Sequence, residues 1–300
     1  MTPSDTPSGG GKANRMRIPF CVLSLVCATT FLGACASGTP SPGTGTLCVA
    51  SLMVKPVKWD KDANKGRLEQ AIREAKDKGA ELIVTPEGAL EGYVINEVIR
   101  ATGQDRRVLT ERFHALAEPC DGPYIRHFQT LAAELKVYLI LGFLEADKGK
   151  THNTAVLIRP DGTLAGKYRK THFAQGYRHG DGKGDNPPGY LRGTEYPVFH
   201  LAQYRIGIMI CYDRRQPVVA QRLVQNGAGL ILNPSYGMMG DCNREFISAR
   251  ARENHVPILF VHPDQTVFSD AQGDIKTDLR PRTEDSRLAL IPVEIMGAGE

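Results

Sequence analysis

A layered α/β domain with a mixed sheet is the fold this chain predicts, and three observations predict it. Apolar runs of strand length alternate with amphipathic stretches of helix length between residues 47 and 293. Two of those runs, ending at Glu87 and at Cys211, are continuous rather than alternating, as buried strands are. A third pair is joined by Asp161-Gly162, a hairpin turn signal, so some neighbouring strands run antiparallel.

In chain order, the first strand covers residues 47–52. Residues 66–78 set Leu68, Ala71, Ile72 and Ala75 on one helical face, and Gly79 stands in the stop position. The next strand, Glu81-Leu82-Ile83-Val84, runs into Thr85-Pro86-Glu87. Proline cannot continue a central strand, so Glu87 falls just past the strand end, facing a crevice. Helices are expected over 108–117 and 123–135, then strands over 137–144, 154–158 and 163–168. Residues 173–188 form a Gly- and Asp-rich loop of a length that marks function or disorder. A strand over 196–201 precedes the run Gly207-Ile208-Met209-Ile210-Cys211. Helices over 217–226 and 241–255 then alternate with strands over 229–233 and 257–262, and strands over 266–269 and 287–293 complete the domain. No internal repeat is visible.

The first 35 residues read as a processing signal. Arg15 and Arg17 supply a basic flank, and residues 18–32 form an apolar stretch too short to span a bilayer. The stretch closes on Leu32-Gly33-Ala34-Cys35, which resembles a bacterial lipoprotein cleavage site with Cys35 as the lipidated new N-terminus. An ordinary secretory signal that happens to hold a cysteine is the alternative, and Met16 competes with Met1 as the start. Residues 36–46 are small and polar and read as a flexible tether, leaving residues 47–296 as one folded domain. The expected location is the bacterial cell envelope, with a lipid bilayer as partner through the anchor.

A net charge of +4, with Lys and Arg scattered among acids, shows no basic stripe interleaved with aromatics, so a nucleic-acid partner is not expected. Of seven cysteines, Cys21 and Cys27 leave with the signal and Cys35 carries lipid. Cys48, Cys120, Cys211 and Cys242 remain, with no C-x-x-C spacing to suggest a metal site, and no cofactor is implied. An exported reactive thiol needs burial in a narrow pocket to survive an oxidising compartment.

Cys211 at a strand end reads either as a packed, inert core thiol or as a nucleophile at the carboxyl edge of a sheet. Glu87 and the lysine of Gly166-Lys167-Tyr168-Arg169-Lys170-Thr171-His172 also sit at element edges. An acid, a base and a thiol so placed form a candidate constellation for nucleophilic catalysis. Pro86-Glu87 with Gly92-Tyr93, Tyr168-Arg169-Lys170-Thr171-His172, and Gly207-Ile208-Met209-Ile210-Cys211-Tyr212-Asp213 resemble, in order, the three signature blocks of the nitrilase superfamily of carbon–nitrogen hydrolases. The resemblance extends from Leu47 to Glu294.

That resemblance implies a four-layer α-β-β-α sandwich with two sheets face to face, paired into homodimers or larger homo-oligomers through its helices. It implies Cys211 as nucleophile, Glu87 as general base, Lys170 as the cation that favours thiolate and oxyanion, and the Tyr212 backbone N–H as a further oxyanion donor. At the place of a second glutamate in the family stands Asp185, with Glu195 as the other candidate. The implied activity is hydrolysis of a small amide or N-carbamoyl compound through a thioester. Cys211-Tyr212-Asp213 resembles amidases and carbamoylases, whereas nitrilases carry Trp-Glu after the cysteine. A true nitrilase, acyl transfer to an amine and a non-catalytic surface binder are the rival functions. His172, His255 and His262 read as positioning groups or caps, and Arg250, Arg252 and Glu253 as a structural ion-pair network.

Overall fold

The computed structural model describes residues 44–174, 189–237, 240–281, 283 and 287–296. Residues 1–43, with Cys35, the signal region and most of the tether, lie outside the described residues, as do residues 175–188, with Asp185. Through the first half run β1 (Thr44–Leu52), α1 (Lys61–Asp77), β2 (Leu82–Val84), α2 (Ile95–Arg100), α3 (Gly103–Leu116), α4 (Pro123–Leu135), β3 (Tyr138–Asp147), β4 (Lys150–Ile158) and β5 (Leu164–Arg169). The second half follows as β6 (Val198–Leu201), β7 (Tyr204–Ile208), a 3-10 turn (Cys211–Arg215), α5 (Pro217–Gln225), β8 (Leu230–Pro234), α6 (Cys242–Asn254), β9 (Ile258–His262), β10 (Gln265–Ser269), β11 (Ile275–Leu279) and β12 (Leu288–Met296).

The strands form two six-stranded sheets, ordered β12-β1-β2-β3-β4-β5 and β6-β7-β8-β9-β10-β11. In the first, β1, β2 and β3 are parallel and their outer neighbours antiparallel. In the second, β7, β8 and β9 are parallel with antiparallel neighbours in the same positions. Each half therefore repeats strand, helix, strand, helix, strand and two antiparallel returns, with α2 and α3 inserted in the first. This corrects the sequence reading, which found no internal repeat: the duplication lies in topology and is not carried by like residues.

Alternation along the strands makes the layers. Val49, Val84 and Ile140 of one sheet meet Ile206, Ile208, Leu232 and Leu259 of the other in a dry interior between the sheets. Their neighbours Ala50, Ile83 and Leu139 face outward onto Leu68 and Ile72 of α1 and Phe128 and Leu131 of α4. On the far side, Ile231, Ile258 and Phe260 take Val219 and Leu223 of α5 and Ile247 and Ala251 of α6. The result is the expected four-layer α-β-β-α sandwich.

Several boundaries differ from the sequence reading. β1 starts at Thr44, inside the stretch read as tether, because the β12 ladder continues out to the pair Thr44 and Met296. α1 starts earlier than expected because Asp60 caps it, accepting from the Ala63 N–H at 2.9 Å. α4 falls where proline at its first position and the Ile125, Phe128, Leu131, Ala132 face place it. The short α2 and the edge strand β11 were not foreseen. Among the described residues no helix is long and apolar enough to cross a membrane.

One glycine decides how the first strand-end loop sits. A Cβ on Gly142 of β3 would come within 2.4 Å of the Pro86 carbonyl oxygen. The bare backbone lets the loop after β2 lie directly on β3, held by the Gly142 N–H donating to Thr85 Oγ1 at 2.9 Å. That contact fixes the start of the chain segment carrying Glu87.

Candidate active site

Four loops at strand ends build the site. The first leaves β2 once the Thr85 N–H has donated to the Ile140 carbonyl at 3.0 Å, after which Pro86 offers no donor and the chain exits the ladder. Glu87 follows, 1% exposed. Its Oε1 accepts from Lys170 Nζ at 2.6 Å and Asn153 Nδ2 at 2.7 Å, and its Oε2 from the Tyr236 backbone N–H at 2.9 Å. A carboxylate taken out of water needs such partners, and here a side-chain amide, an ammonium and a main-chain donor supply them.

Lys170 stands just past β5. Its N–H donates to the Asn153 carbonyl and its carbonyl accepts from the Gly193 N–H, both at 2.9 Å, which clamps the backbone on both sides. The side chain is buried, with Nζ 5.8 Å from the centroid of the Phe173 ring. The ion pair with Glu87 is thus shielded from solvent, where it is far stronger than a surface pair but requires both members.

Cys211 follows β7, and its backbone is left-handed, at φ 48°. A non-glycine residue held there stores roughly 1–3 kcal/mol of strain, which the surroundings must impose. Asp213 does much of the imposing. Fully buried, its carboxylate accepts from the Ile210 N–H (2.9 Å), the His172 N–H (2.8 Å), Tyr168 Oη (2.8 Å) and Thr171 Oγ1 (3.1 Å). The lysine loop and the cysteine turn are therefore stitched together by one carboxylate.

The loop after β8 closes the constellation. Tyr236 donates its N–H to Glu87, and the next residue, Gly237, lies against the thiol: a Cβ there would stand 3.1 Å from Cys211 Sγ. The Tyr236 carbonyl accepts from His262 Nε2 at 2.6 Å, while His262 Nδ1 accepts from the Asp264 N–H at 2.9 Å, which fixes the tautomer. Burial holds His262 below the ordinary histidine range, so it stays a neutral strut. The Tyr236–Gly237 segment thus links Glu87, with its partner Lys170, to Cys211.

The other sequence candidates divide between the site and its surroundings. Tyr212 is half-buried under the Arg215 guanidinium, 5.1 Å from its ring centroid. Glu195 is exposed on the rim of a small polar pocket lined by Lys167, Arg169 and Arg192. Tyr93 and Tyr236 stack with centroids 4.6 Å apart. His172 faces Asp213, and His255 ends α6 in the left-handed region at φ 52°. Arg250 pairs with Glu253 at 2.9 Å, whereas Arg252 turns to Ser248 and the Gln272 carbonyl rather than joining a network. Cys48, Cys120, Cys211 and Cys242 form no disulfide among the described residues. Among the described residues no cluster of His, Cys, Asp or Glu is arranged to hold a metal ion.

Sequence reasoning missed Asn153, Asp213 and the Tyr236 N–H as site groups. It also missed Glu91, a wholly buried carboxyl beneath the site that accepts from the Leu144 N–H at 3.0 Å. Burial, with a smaller push from the Glu87 charge, raises this carboxyl from its ordinary 4.5 to about 7. A group whose folded affinity for protons exceeds its unfolded one gives its full stabilisation below the unfolded value and loses it as pH rises through the folded one. Between pH 5 and pH 8 the Glu91 contribution therefore falls, by on the order of 3 kcal/mol. Glu91→Gln, which cannot ionise, should lose less stability than the unmodified protein over that interval. Urea unfolding of both proteins at the two pH values tests this; equal pH dependence would remove Glu91 as the titrating group.

The sequence profile of the carbon-nitrogen hydrolase family matches residues 48–291. An ω-amidase of Xenopus tropicalis is 30% identical over 221 residues, covering 72% of this chain and 74% of that protein. A nitrilase of Pyrococcus abyssi is 31% identical over 226 residues, covering 75% of each. Among solved structures, a mutant of the amidase from Nesterenkonia sp. AN1 superposes with a TM-score of 0.64 at 18% identity, over 83% of this chain and 90% of that one. That structure carries the acetamide moiety of fluoroacetamide covalently added at the active-site cysteine.

Proposed function

From the premise that the chain belongs to the carbon–nitrogen hydrolase family and is an enzyme of that class, we propose that Cys211, Glu87 and Lys170 form its catalytic triad and that its substrate is a small amide or N-carbamoyl compound. The observation that carries the reading is the buried 2.6 Å pair between Lys170 Nζ and Glu87 Oε1, linked through Tyr236 and Gly237 of the loop after β8 to a thiol held at a left-handed turn. Structural ion pairs have no need of a strained cysteine beside them. The Nesterenkonia amidase, with the same fold, takes up the acetamide moiety of fluoroacetamide at its active-site cysteine, in keeping with a nucleophilic cysteine here.

Glu87 takes the proton from Cys211 Sγ, and the sulfur adds to the substrate carbonyl carbon while the π pair moves onto oxygen. Lys170 Nζ and the Tyr212 N–H receive that oxyanion, and collapse breaks the C–N bond as Glu87 returns the proton to the departing nitrogen. Water, deprotonated by Glu87, then cleaves the thioester. Asn153 and the Tyr236 N–H keep the carboxylate aimed through both halves.

Both an ω-amidase and a nitrilase are among the relatives, so the reaction class needs a direct test. Cys211-Tyr212-Asp213 favours the amide side. Ammonia release from a panel of ω-amides, N-carbamoyl amines, ureas and nitriles should show turnover with amides or carbamoyl compounds and little with nitriles. Preferred turnover of nitriles would reverse the assignment, and acyl transfer to added amines in place of hydrolysis would replace it with a transferase.

The Leu32-Gly33-Ala34-Cys35 sequence adds a place to the activity: an envelope lipoprotein whose domain hangs from the membrane. Cys35→Ser should move the enzyme from the membrane fraction to the soluble fraction with hydrolysis intact. An intact mass without lipid, or a mature N-terminus elsewhere than Cys35, would end this reading.

A further inference from the structure

Arg214 heads the fully buried side chains by volume, at 1% exposure. A guanidinium so deep in a protein is ordinarily matched by a carboxylate. Here Nη2 donates to the Gly237 carbonyl at 3.1 Å and to Asn243 Oδ1 at 2.8 Å, and the group lies 5.1 Å above the Phe260 ring. Nη1 points at Cys211 Sγ, 3.6 Å away. Nε is buried without a partner. Among the described residues, no carboxylate pairs with Arg214. Its neighbour Asp213 is turned to Ile210, Tyr168, Thr171 and His172.

The geometry follows from the turn itself. Residues i and i+3 eclipse on a 3-10 helix, so the Cys211–Arg215 turn stacks residue 214 on residue 211. Of the described groups that touch the guanidinium, only the Cys211 sulfur can become an anion. Lys170, by contrast, already has the Glu87 carboxylate at 2.6 Å. We propose that Arg214 is the counter-ion of the Cys211 thiolate, leaving Lys170 to serve Glu87 and the oxyanion. This rests on the reading of Cys211 as nucleophile.

Charge moves off sulfur when the Sγ–C bond forms and the π pair passes to oxygen, and it returns when the C–S bond of the thioester breaks and its electron pair goes back to Sγ. A fixed cation beside sulfur stabilises the thiolate once Glu87 has taken its proton and receives it again as leaving group. Arg214 thus acts at both ends of the cycle.

Two variants and one readout decide the matter: the rate at which iodoacetamide alkylates Cys211 itself, followed by mass across pH. Arg214→Met removes the charge at similar volume. Asn243→Asp is isosteric and sets a carboxylate on Nη2, neutralising Arg214 in place; the bond from the Asn243 amide to Gln265, 3.1 Å long, is lost but an ion pair is gained. Each should move the alkylation profile toward alkaline pH by about one unit and slow alkylation near neutrality about tenfold. If Arg214→Met does not fold, Asn243→Asp gives the answer alone. A folded variant whose Cys211 profile superimposes on that of the unmodified protein overturns the proposal. So does a rise in KM confined to carboxylate-bearing amides with the profile unchanged, since the cation would then serve the substrate. Turnover that survives complete alkylation of Cys211 in the unmodified enzyme would instead defeat the nucleophile reading, so the two failures are distinct.

Discussion

Cys211→Ala should abolish turnover while the fold survives, with kcat reduced by on the order of four to six orders of magnitude. Among the described residues, the groups around the thiol are a carboxylate bound by three donors, an ammonium and a guanidinium, none of them a second thiol. The fold should tolerate the change, because alanine suffers at φ 48° much as cysteine does and only the sulfur is lost. Its absence leaves Arg214 without one neutral contact, at a cost of about 1 kcal/mol. Ammonia release in single-turnover and steady-state assays, beside thermal unfolding, makes the test. Residual activity above a few per cent, in a protein of unchanged Tm, would falsify the covalent mechanism.

How far the sequence announced this arrangement depends on what kind of signal each part emits. Glu87 and Cys211 were legible as candidates because each closes a continuous apolar run, and Lys170 because it follows the hairpin signalled by Asp161-Gly162. α4 was legible too, since its proline start and apolar face are local. β11 was not, because Ile275–Leu279 is an edge strand whose last leucine is 46% exposed, leaving no alternation to read. The extension of β1 to Thr44 depends on a ladder with residues near 296, more than two hundred positions away. The internal duplication is a matter of strand order and direction, which no window of residues contains.

Within the site, the groups that escaped notice are those whose role is set by partners distant in sequence. The Tyr236 N–H carries no side-chain signature, and its bond to Glu87 spans 149 positions. Arg214 sits in a polar run after the thiol, where charged residues ordinarily meet solvent. Only the 3-10 geometry, which turns residue 214 inward onto Phe260, reveals it as a buried cation. Asp213 belongs to a family block, yet its work as the link between two loops appears only when Tyr168, Thr171 and His172 arrive from the other sheet.

The Glu87 and Lys170 pair should separate catalysis from stability. Glu87→Gln keeps the volume and two of the three hydrogen-bonding relations but leaves Lys170 as a buried cation without its carboxylate. Losing one member of a buried pair costs about 3–5 kcal/mol, so this variant should unfold at markedly lower urea. Lys170→Met strands the carboxylate and should destabilise in the same way, with Asn153 and the Tyr236 N–H softening the loss. The double variant Glu87→Gln with Lys170→Met buries no net charge, and most of the lost stability should return. Activity should not return with it. Each single change should lower kcat by roughly two to four orders of magnitude, as expected for a lost general base or oxyanion partner. The double should be little worse than either, because groups that act as one unit are lost together. Urea midpoints and kcat for the four proteins complete the cycle. Stability that falls additively in the double variant, or activity that recovers with stability, would mean the pair is an architectural strut and the acid–base work lies elsewhere.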